Sequence, residues 1–537
     1  MGKLAKQHFK GKQMEDNTMS RIDITQNQII NKTRIDLNQK IIIFLLVVFF
    51  IEFGIATILS AATYYVSYSD GDDYNCNGLS STPYSGTGSG VSCPWKNLSK
   101  LDSGLVNGDT ILLKRGDVWD GSRGIRIKYN LTVDAYGTGD KPLIKTTNAD
   151  GYGAIYGYAA NLYGVVVRNI KVVGVIGFTQ IGKNISVQNC DVISSIGGNG
   201  IVMKQINGYL IEGCNVDNAA CGIAIIGSID NKVANGIVRN CTVGPNISGD
   251  DISIHADSSN NTTGGNHQIL NNKFLGAGEN CVDTAVGDVG VRPSGLLVKG
   301  NSCTGSLSYG MGASMNDITF ENNYIYNVSG AAFYLGYTNN TIIRYNLTIN
   351  PGYEAVGVTD TTVRFATNSF IYNNTFVDGP KTARSSIRIY PAGGYNKGFI
   401  IKNNIIVNEQ NKFIEFASTS SPDNTLSTFD NNLYYASAGY IGKWAIGAAS
   451  YNSLDEWKNA LGGKDVGSDK YSLTTNPIFK SFSEYNLQVN SPAINAGADV
   501  GLSKDYLENP IAGTPDIGAY EYQTAVSTPN NIKIIHP

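Results

Sequence analysis

One short pattern recurs through the middle of the chain and constrains the fold more than any other feature. Each copy consists of an apolar, often β-branched run, a polar residue and a second apolar run, as in "VQNCDV", "ENNYI" and "FDNNLY". The copies superpose on a single column of residues, here called the ladder column, at intervals of 22 to 31 residues. The ladder column consists of Cys190, Cys214, Cys241, Asn272, Asn301, Asn323, Asn346, Asn374, Asn404 and Asn432.

The pattern predicts two strands joined by a sharp bend. Asparagine tolerates the left-handed backbone conformation that a tight bend requires, so we expect the ladder asparagines to adopt it. Stacked coils place successive ladder side chains about 4.8 Å apart, where they can hydrogen-bond along the stack. Helical repeats would show an apolar period of about 3.6 residues, which is absent. The sequence therefore predicts a solenoid of stacked β-coils.

At this point the chain resembles the right-handed parallel β-helix, the pectate-lyase-like (pectin lyase) fold of exported surface proteins. The resemblance implies an all-β solenoid of about ten or eleven coils. The segments "GDTILLKRG" and "GTPDIGAYEY" are similar to the entry and closing segments of such proteins. The predicted parts are a polar cytoplasmic tail (1–40), a hydrophobic segment (41–62), an N-terminal cap with entry strands (63–135), the β-helix (136–440), a C-terminal capping segment (441–523) and a tail (524–537).

A second column of strands follows each ladder position by about nine residues, as in "DISI" at Asp251 and "CVDT" at Cys281. Strand alternation sends the isoleucines inward and predicts that Asp251 and His255 project outward. Asp283 is expected to face outward one coil later, and Lys204 two coils before His255. In enzymes of the resembled fold, the active site generally lies on this outward face.

Three kinds of chemistry suit these residues. A polysaccharide lyase or C5-epimerase acting on an acidic polysaccharide needs a base, for which His255 has a suitable pKa, and a cation to neutralise the uronate carboxylate. Lys204 and Arg292 are candidates for that cation, and the alternative is Ca²⁺ held by Asp250, Asp251 and Asp283. An inverting glycoside hydrolase needs two carboxylates roughly 6.5–9.5 Å apart, which Asp251 and Asp283 could supply. Further residues predicted to bind substrate are Asp257, Glu279, Arg292, Tyr334, Arg388 and Tyr390.

Two observations keep a non-catalytic alternative open. The Asn-Thr-Asp, Gly-His-Gly and Arg-Ile-Lys set of polygalacturonases is missing from the repeat, and "IHAD" is similar to the Asp-Pro-His-Asp of alginate epimerases but lacks the proline. Outward Tyr, Asn and Thr side chains along a rod also suit a cell-surface protein that binds or adheres to glycans. The sequence favours the enzyme, first a polysaccharide lyase or C5-epimerase acting on an acidic polysaccharide and after it the inverting glycoside hydrolase, with a polysaccharide or cell-surface glycan as its partner.

Charge and cysteine content limit the partners further. The formal net charge of −3 argues against nucleic acid as a partner, since phosphate binding needs clustered Lys and Arg. The three ladder cysteines have no CxxC spacing, so they are predicted to be small buried thiols rather than metal ligands. Cys76 and Cys93 lie in a Gly/Ser/Asp-rich loop outside the repeat, where an exported protein is expected to form a disulfide.

The hydrophobic segment 41–61 is 21 residues long with Glu52 as its only charge, long enough to cross a bilayer. Eight Lys/Arg and four Asp/Glu precede it, which predicts a cytoplasmic N-terminus and an extracellular remainder. Cleavage near Ala62 would instead release the protein. N-x-S/T sequons recur and mark glycosylation sites in organisms with that machinery. The sequence leaves the oligomeric state open.

Overall fold

The computed structural model describes residues 60–523 with gaps. The gaps are residues 122, 147–152, 195–196, 228–232, 257–263, 285–292, 359–365, 378–384, 391–395, 409–411, 418–426, 437–442, 462–468 and 482–483. All statements below concern the described residues. The predicted hydrophobic segment lies outside them except for its last three residues, and within them no helix is both long enough and apolar enough to cross a bilayer.

The chain forms a right-handed parallel β-helix, as the resemblance implied. Three long sheets run along it, and each coil contributes one strand to each sheet, so hydrogen-bonded neighbours come from successive coils. Helical structure in the described residues is limited to a 3₁₀ helix at Leu98–Asp102 and an α-helix at Leu454–Leu461.

The first sheet precedes the ladder column in each coil. Its strands are Thr63–Val66, Thr110–Lys114, Thr132–Tyr136, Val166–Arg168, Gly182–Gln188, Ile206–Glu212, Ile237–Arg239, His267–Leu270, Ser294–Lys299, Asn316–Glu321, Ile342–Arg344, Phe370–Tyr372, Ile400–Lys402 and Thr428–Asp430, with Leu162–Tyr163 pairing beside the fifth. The entry strand Thr63–Val66 joins this sheet in parallel, so the cap is continuous with the solenoid.

The second sheet follows the ladder column. Its strands are Val118–Gly121, Leu143–Thr146, Lys171–Val173, Asp191–Ile193, Asn215–Asp217, Thr242–Val243, Lys273–Phe274, Ser302–Thr304, Tyr324–Tyr326, Leu347–Ile349, Thr375–Val377, Ile405–Val407 and Leu433–Tyr435. The C-terminal segment folds back against its outer face, where Ile517 and Ala519 pack with Leu347 and Leu433. This contact covers apolar side chains that alternation points outward.

The third sheet carries the second column of the sequence. Its strands are Ile125–Ile127, Ile155–Gly157, Ile176–Phe178, Ile201–Lys204, Ile223–Gly227, Ile252–Ala256, Val282–Asp283, Met311–Ala313, Phe333–Leu335, Val356–Val358, Ser385–Ile389, Lys412–Phe416 and Lys443–Ile446, followed by the antiparallel Ala449–Tyr451. A pair outside the three sheets joins Thr338–Asn339 to Ala366–Thr367. Inward residues of successive coils, such as Ile223 and Ile252, are fully buried and supply the apolar area that stabilises the stack.

The sharp bend before the second sheet uses a different residue from the one predicted. The left-handed conformation belongs to the residue before each ladder position: Asn271 (φ 54°), Asn322 (φ 54°) and Asn373 (φ 53°), and even Tyr345 (φ 54°). The expectation that the ladder asparagines adopt it is therefore wrong. Ladder side chains point into the coil, so the bend must be made by the residue just before them.

The predicted hydrogen-bonded ladder is confirmed. The Asn301 side-chain amide donates to Asn323 Oδ1 at 3.0 Å and to the Ile269 carbonyl at 2.9 Å, while its Oδ1 accepts the Asn272 backbone N–H at 2.9 Å. The pattern continues to Asn432. In the coils before Asn272 the ladder residues are buried, unbridged thiols, as expected, and the Cys214 N–H donates to Cys241 Sγ at 3.4 Å.

Two disulfides and a short C-terminal helix link parts of the solenoid. The predicted Cys76–Cys93 disulfide is present, and a second one, Cys281–Cys303, was not predicted. At the far end, Ser453 caps the helix Leu454–Leu461, since its Oγ accepts the Glu456 N–H at 3.2 Å. This helix buries Trp457 over the last coil.

Candidate functional site

Two columns of side chains define the outer surface of the third sheet. The first, here called the face column, is set by strand register and contains Ala224, Ser253, Asp283, Gly312, Tyr334, Gly357, Arg388 and Glu415. The second, the corner column, lies three residues earlier in each coil and contains Cys221, Asp250, Asn280, Tyr309, Ala331, Glu354, Ser385 and Lys412. Their polar members are the candidate functional residues.

Asp251 does not project outward. It is fully buried, and its Oδ1 accepts a 2.5 Å hydrogen bond from the side-chain amide of Asn246. Its Oδ2 has no hydrogen-bond partner among the described residues. Burial raises the pKa of this carboxyl well above its usual range, against the opposing effect of the Asn246 bond. The outward orientation predicted for Asp251 is wrong because the residue precedes strand Ile252–Ala256, at a corner where strand alternation does not apply.

The neighbouring Asp250 has the features of an acid. It is 8% exposed, and its Oδ1 accepts hydrogen bonds from both the backbone N–H (3.1 Å) and the side-chain amide (2.9 Å) of Asn280. Burial raises its pKa to about 6, partly offset by the Asn280 bonds and reinforced by the charge of Glu279.

A diagonal relation connects the corner and face columns of successive coils. Along these columns, a corner residue of one coil contacts the face residue of the next coil. Three pairs show it: Tyr309 with Tyr334 (ring centroids 4.3 Å apart), Glu354 with Arg388 (3.9 Å) and Ser385 with Glu415 (3.0 Å). Asp250 and Asp283 occupy the same two positions, on coils whose third-sheet strands are hydrogen-bonded neighbours.

The carboxylate of Asp283 leans along the solenoid toward the next coil. It is partly exposed, and a Cβ added to Gly312 would lie 2.9 Å from its Oδ1. The missing side chain at residue 312 therefore leaves the space that this carboxylate occupies.

His255 lies on the same face, and its Nδ1 shares a 2.9 Å hydrogen bond with Ser253 Oγ. Ser253 also interacts with the carboxyl of Asp250, so the three side chains form a polar chain across the strand. Lys204 is separated from His255 by Ile226 on the intervening coil. The structure therefore brings His255 near the aspartates and leaves Lys204 two coils away.

The remaining predicted site residues are more dispersed. Glu279 is exposed beside the corner column. Tyr334 is two coils beyond Asp283, and Arg388 two further coils on. Arg388 is ion-paired with Glu415 and lies over the ring of Tyr390 at 4.5 Å. The predicted residues Asp257 and Arg292 lie outside the described residues.

The predicted calcium ligands do not form a cation site in this arrangement. The carboxyls of Asp250 and Asp251 face different amide partners, Asn280 and Asn246, and both pKa values are raised. Within the described part of the chain, no three His, Cys, Asp or Glu side chains converge as metal ligands. Calcium binding stays a prediction.

Sequence reasoning named Asp250 only as a metal ligand and missed Asn280 entirely. The sequence did contain an indication of this arrangement. Asp250 and Asp251 are adjacent, so if the side chain of one points into the coil, the side chain of the other must point away from it. Asn280 is the residue one coil after Asp250 in the same column, so the repeat register would have paired them.

Comparison with known proteins agrees with the fold. The family described as "Right handed beta helix region" matches residues 253–434. A curated relative, lacto-N-biosidase from Bifidobacterium longum subsp. longum, is 29% identical over 216 residues. That match covers 38% of this chain but 13% of the relative, so the chain spans a small part of that protein.

Solved structures with related architecture share little sequence with this chain. The GH136 lacto-N-biosidase from Eubacterium ramulus is 15% identical, with a TM-score of 0.38, and the match covers 72% of this chain and 68% of that one. The A-module of mannuronan C-5 epimerase AlgE6 from Azotobacter vinelandii is 13% identical, with a TM-score of 0.46, covering 68% of this chain and 90% of that one.

Proposed function

We propose that this chain is a carbohydrate-active enzyme that hydrolyses glycosidic bonds on the outer face of the third sheet. The observation that carries the proposal is that Asp250, whose burial raises its pKa to about 6, lies one coil before the partly exposed Asp283. Asp250 acts as the general acid that protonates the leaving oxygen. Asp283 is the second carboxylate, acting on the anomeric carbon directly or through a water molecule.

The chemistry of glycoside hydrolysis explains why such a pair is useful. The reaction needs one protonated carboxyl group and one carboxylate on either side of the bond that breaks. Two carboxyls placed in different environments take these separate roles. Burial keeps Asp250 protonated to higher pH, whereas Asp283 is partly exposed.

The surrounding charge favours a neutral glycan. Asp250, Asp283 and Glu279 lie in this part of the face, and a uronate carboxylate there needs a neutralising cation. Lys204 is two coils from His255, and Arg388 is already ion-paired with Glu354 and Glu415. The curated relative, a lacto-N-biosidase by name, also supports hydrolysis.

A second candidate is a polysaccharide lyase or C5-epimerase acting on an acidic polysaccharide, with His255 as the base. It is favoured by the hydrogen bond between Ser253 Oγ and His255 Nδ1, which orients the imidazole. A non-catalytic glycan-binding protein is the third alternative.

We also propose that the protein works outside the cell, held by residues 41–61 or released by cleavage near Ala62. The disulfides Cys76–Cys93 and Cys281–Cys303 support an oxidising compartment.

The test is a panel of neutral and acidic glycans, followed by reducing-end release and by the ultraviolet absorbance of unsaturated uronates. Hydrolysis of a neutral glycan should fall about 10²- to 10⁴-fold in Asp250→Asn and in Asp283→Asn. The exposed Asp217→Asn serves as the matched control and should retain full activity. Unsaturated products that disappear in His255→Ala would establish the lyase instead. No turnover of any glycan would favour the binding protein.

A further inference from the structure

A pair of stacked tyrosines lies next to the proposed centre. The rings of Tyr309 and Tyr334 are 4.3 Å apart at their centroids and inclined by only 10°. Both side chains are partly exposed on the outer face of the third sheet. Tyr334 was predicted from the sequence to bind substrate, whereas Tyr309 was not considered.

Several residues near the two rings are glycines. A Cβ on Gly330 would lie 3.1 Å from the Tyr309 ring, and a Cβ on Gly336 would lie 3.6 Å from the Tyr334 ring. In the face column, the coils on either side of Tyr334 carry Gly312 and Gly357. Because the two rings are stacked on each other, the face that each ring can offer a ligand is its outer face.

The position of the rings relative to the carboxyl pair is defined by the register. Tyr309 is one coil after Asn280, and its backbone N–H donates to Asn280 Oδ1 at 2.9 Å. The same Asn280 holds Asp250, and the Asp283 carboxylate leans over Gly312 toward the tyrosines. The distance from the Asp283 coil to the Tyr334 coil is two strand spacings, roughly 10 Å. That length suits one to two sugar rings next to the bond that breaks.

Resting on the proposed function, we propose that Tyr309 and Tyr334 form one sugar-binding subsite on the C-terminal side of the Asp250–Asp283 centre. The ligand class is a neutral hexopyranose, whose apolar C–H face packs against an aromatic ring while its hydroxyls remain in water. Aromatic side chains combine a large apolar surface with a polar tip and suit such a ligand.

The charges beyond the tyrosines agree with a neutral ligand. On the coils that follow, Glu354 and Glu415 flank Arg388, and Lys412 lies 2.6 Å from Glu415. These ionic groups are thus paired with each other. In this described stretch, the face therefore offers an anionic sugar no unpaired positive charge.

The subsite is tested by binding, separately from catalysis. Isothermal titration measures the affinity of the Asp283→Asn full chain for neutral di- to hexasaccharides containing galactose, glucose or N-acetylhexosamine. Adding Tyr334→Ala should weaken the affinity about three- to tenfold, and Tyr334→Phe should restore it because the ring is kept. Tyr309→Ala should also weaken binding, since Tyr334 then loses its stacking partner.

The matched control is Tyr326→Ala, because the exposed Tyr326 also stacks on another tyrosine, the partly buried Tyr324, on the second sheet. It should leave the affinity unchanged. Equal affinity in Tyr334→Ala and Tyr326→Ala, or no binding of any saccharide in the panel, overturns the subsite. Tyr334-dependent binding without turnover by the wild-type protein retains the subsite and rejects the proposed function. Turnover whose KM is insensitive to Tyr334→Ala retains the function and rejects the subsite. Thermal unfolding of each variant identifies loss of fold.

Discussion

Asn280 donates two hydrogen bonds to the same oxygen of Asp250, one from its backbone N–H at 3.1 Å and one from its side-chain amide at 2.9 Å. Both bonds favour the carboxylate, and burial opposes them more strongly, so the pKa of Asp250 rises to about 6. Asn280 immediately precedes Cys281, whose disulfide to Cys303 ties this corner to the second sheet. The residue that tunes the proposed acid is therefore held on a fixed part of the coil.

This relationship predicts the pH dependence of catalysis. A general acid must be protonated, so kcat/KM of the wild-type enzyme should decline as pH rises through about 6. Asn280→Ala removes the side-chain bond that favours the carboxylate, and the pKa of Asp250 should rise further. The declining limb should then move to higher pH. The exposed Asn215→Ala is the control. A uniform loss of activity with an unmoved limb would show that Asn280 has only a structural role.

Gly312 is predicted to position Asp283. In Gly312→Ala the new Cβ would lie 2.9 Å from Asp283 Oδ1, so the flexible end of that side chain must shift. We expect kcat to fall about 10- to 100-fold with little change in melting temperature, since catalysis is sensitive to misplacements of about 1 Å. The control is Gly177→Ala in the same column, where the nearest atom is 3.5 Å away. Equal kinetics in both variants would contradict the prediction.

Asp251 is predicted to reduce stability at neutral pH. Its folded-state pKa is raised by burial, whereas the unfolded chain ionises near pH 3.9. A carboxyl group whose pKa is raised in the folded state stabilises the fold at pH values below its pKa in the unfolded chain. This stabilisation is lost as the pH rises toward its pKa in the folded protein. Asp251→Asn stays uncharged, so its stability relative to wild type should improve between pH 4 and pH 7.

Urea unfolding of both proteins at the two pH values measures this change. Asp217→Asn, at an exposed position, should show no comparable trend. A free-energy difference between Asp251→Asn and wild type that is the same at both pH values would argue against a buried neutral carboxyl.

The ladder is predicted to contribute strongly to stability. In Asn346→Ala, the N–H of Asn323 loses its acceptor and the carbonyl of Phe320 loses a donor, both in the dry interior of the coil. Unsatisfied buried groups of this kind should cost roughly 2–4 kcal/mol in the free energy of unfolding. Asn215→Ala loses one exposed hydrogen bond and should cost less than about 0.5 kcal/mol. Similar midpoints for the two variants in denaturant unfolding would contradict the ladder's role.

The fold was predictable because aligning the repeats with one another shows which residues occupy equivalent positions on successive coils. The ladder spacing, the inward isoleucines such as Ile252 and the Cys76–Cys93 disulfide all follow from local sequence and redox context, and all are present. The assignment of the left-handed residue failed because the sequence has asparagine at both positions of many bends, as at Asn322 and Asn323. Only stacking decides which of the two side chains enters the coil.

The solenoid, the strand columns and the neighbourhood of Asp250, His255 and Asp283 follow from the repeat in the sequence. Tertiary packing sets which aspartate of the doublet is fully enclosed and which keeps slight exposure and can act as an acid. That outcome depends on Asn280, 30 residues later in the chain, and on the packing of a corner between two sheets. Contacts between successive coils set the burial and hydrogen bonds of each carboxyl, and those in turn set its pKa. No local pattern of residues encodes these contacts between coils.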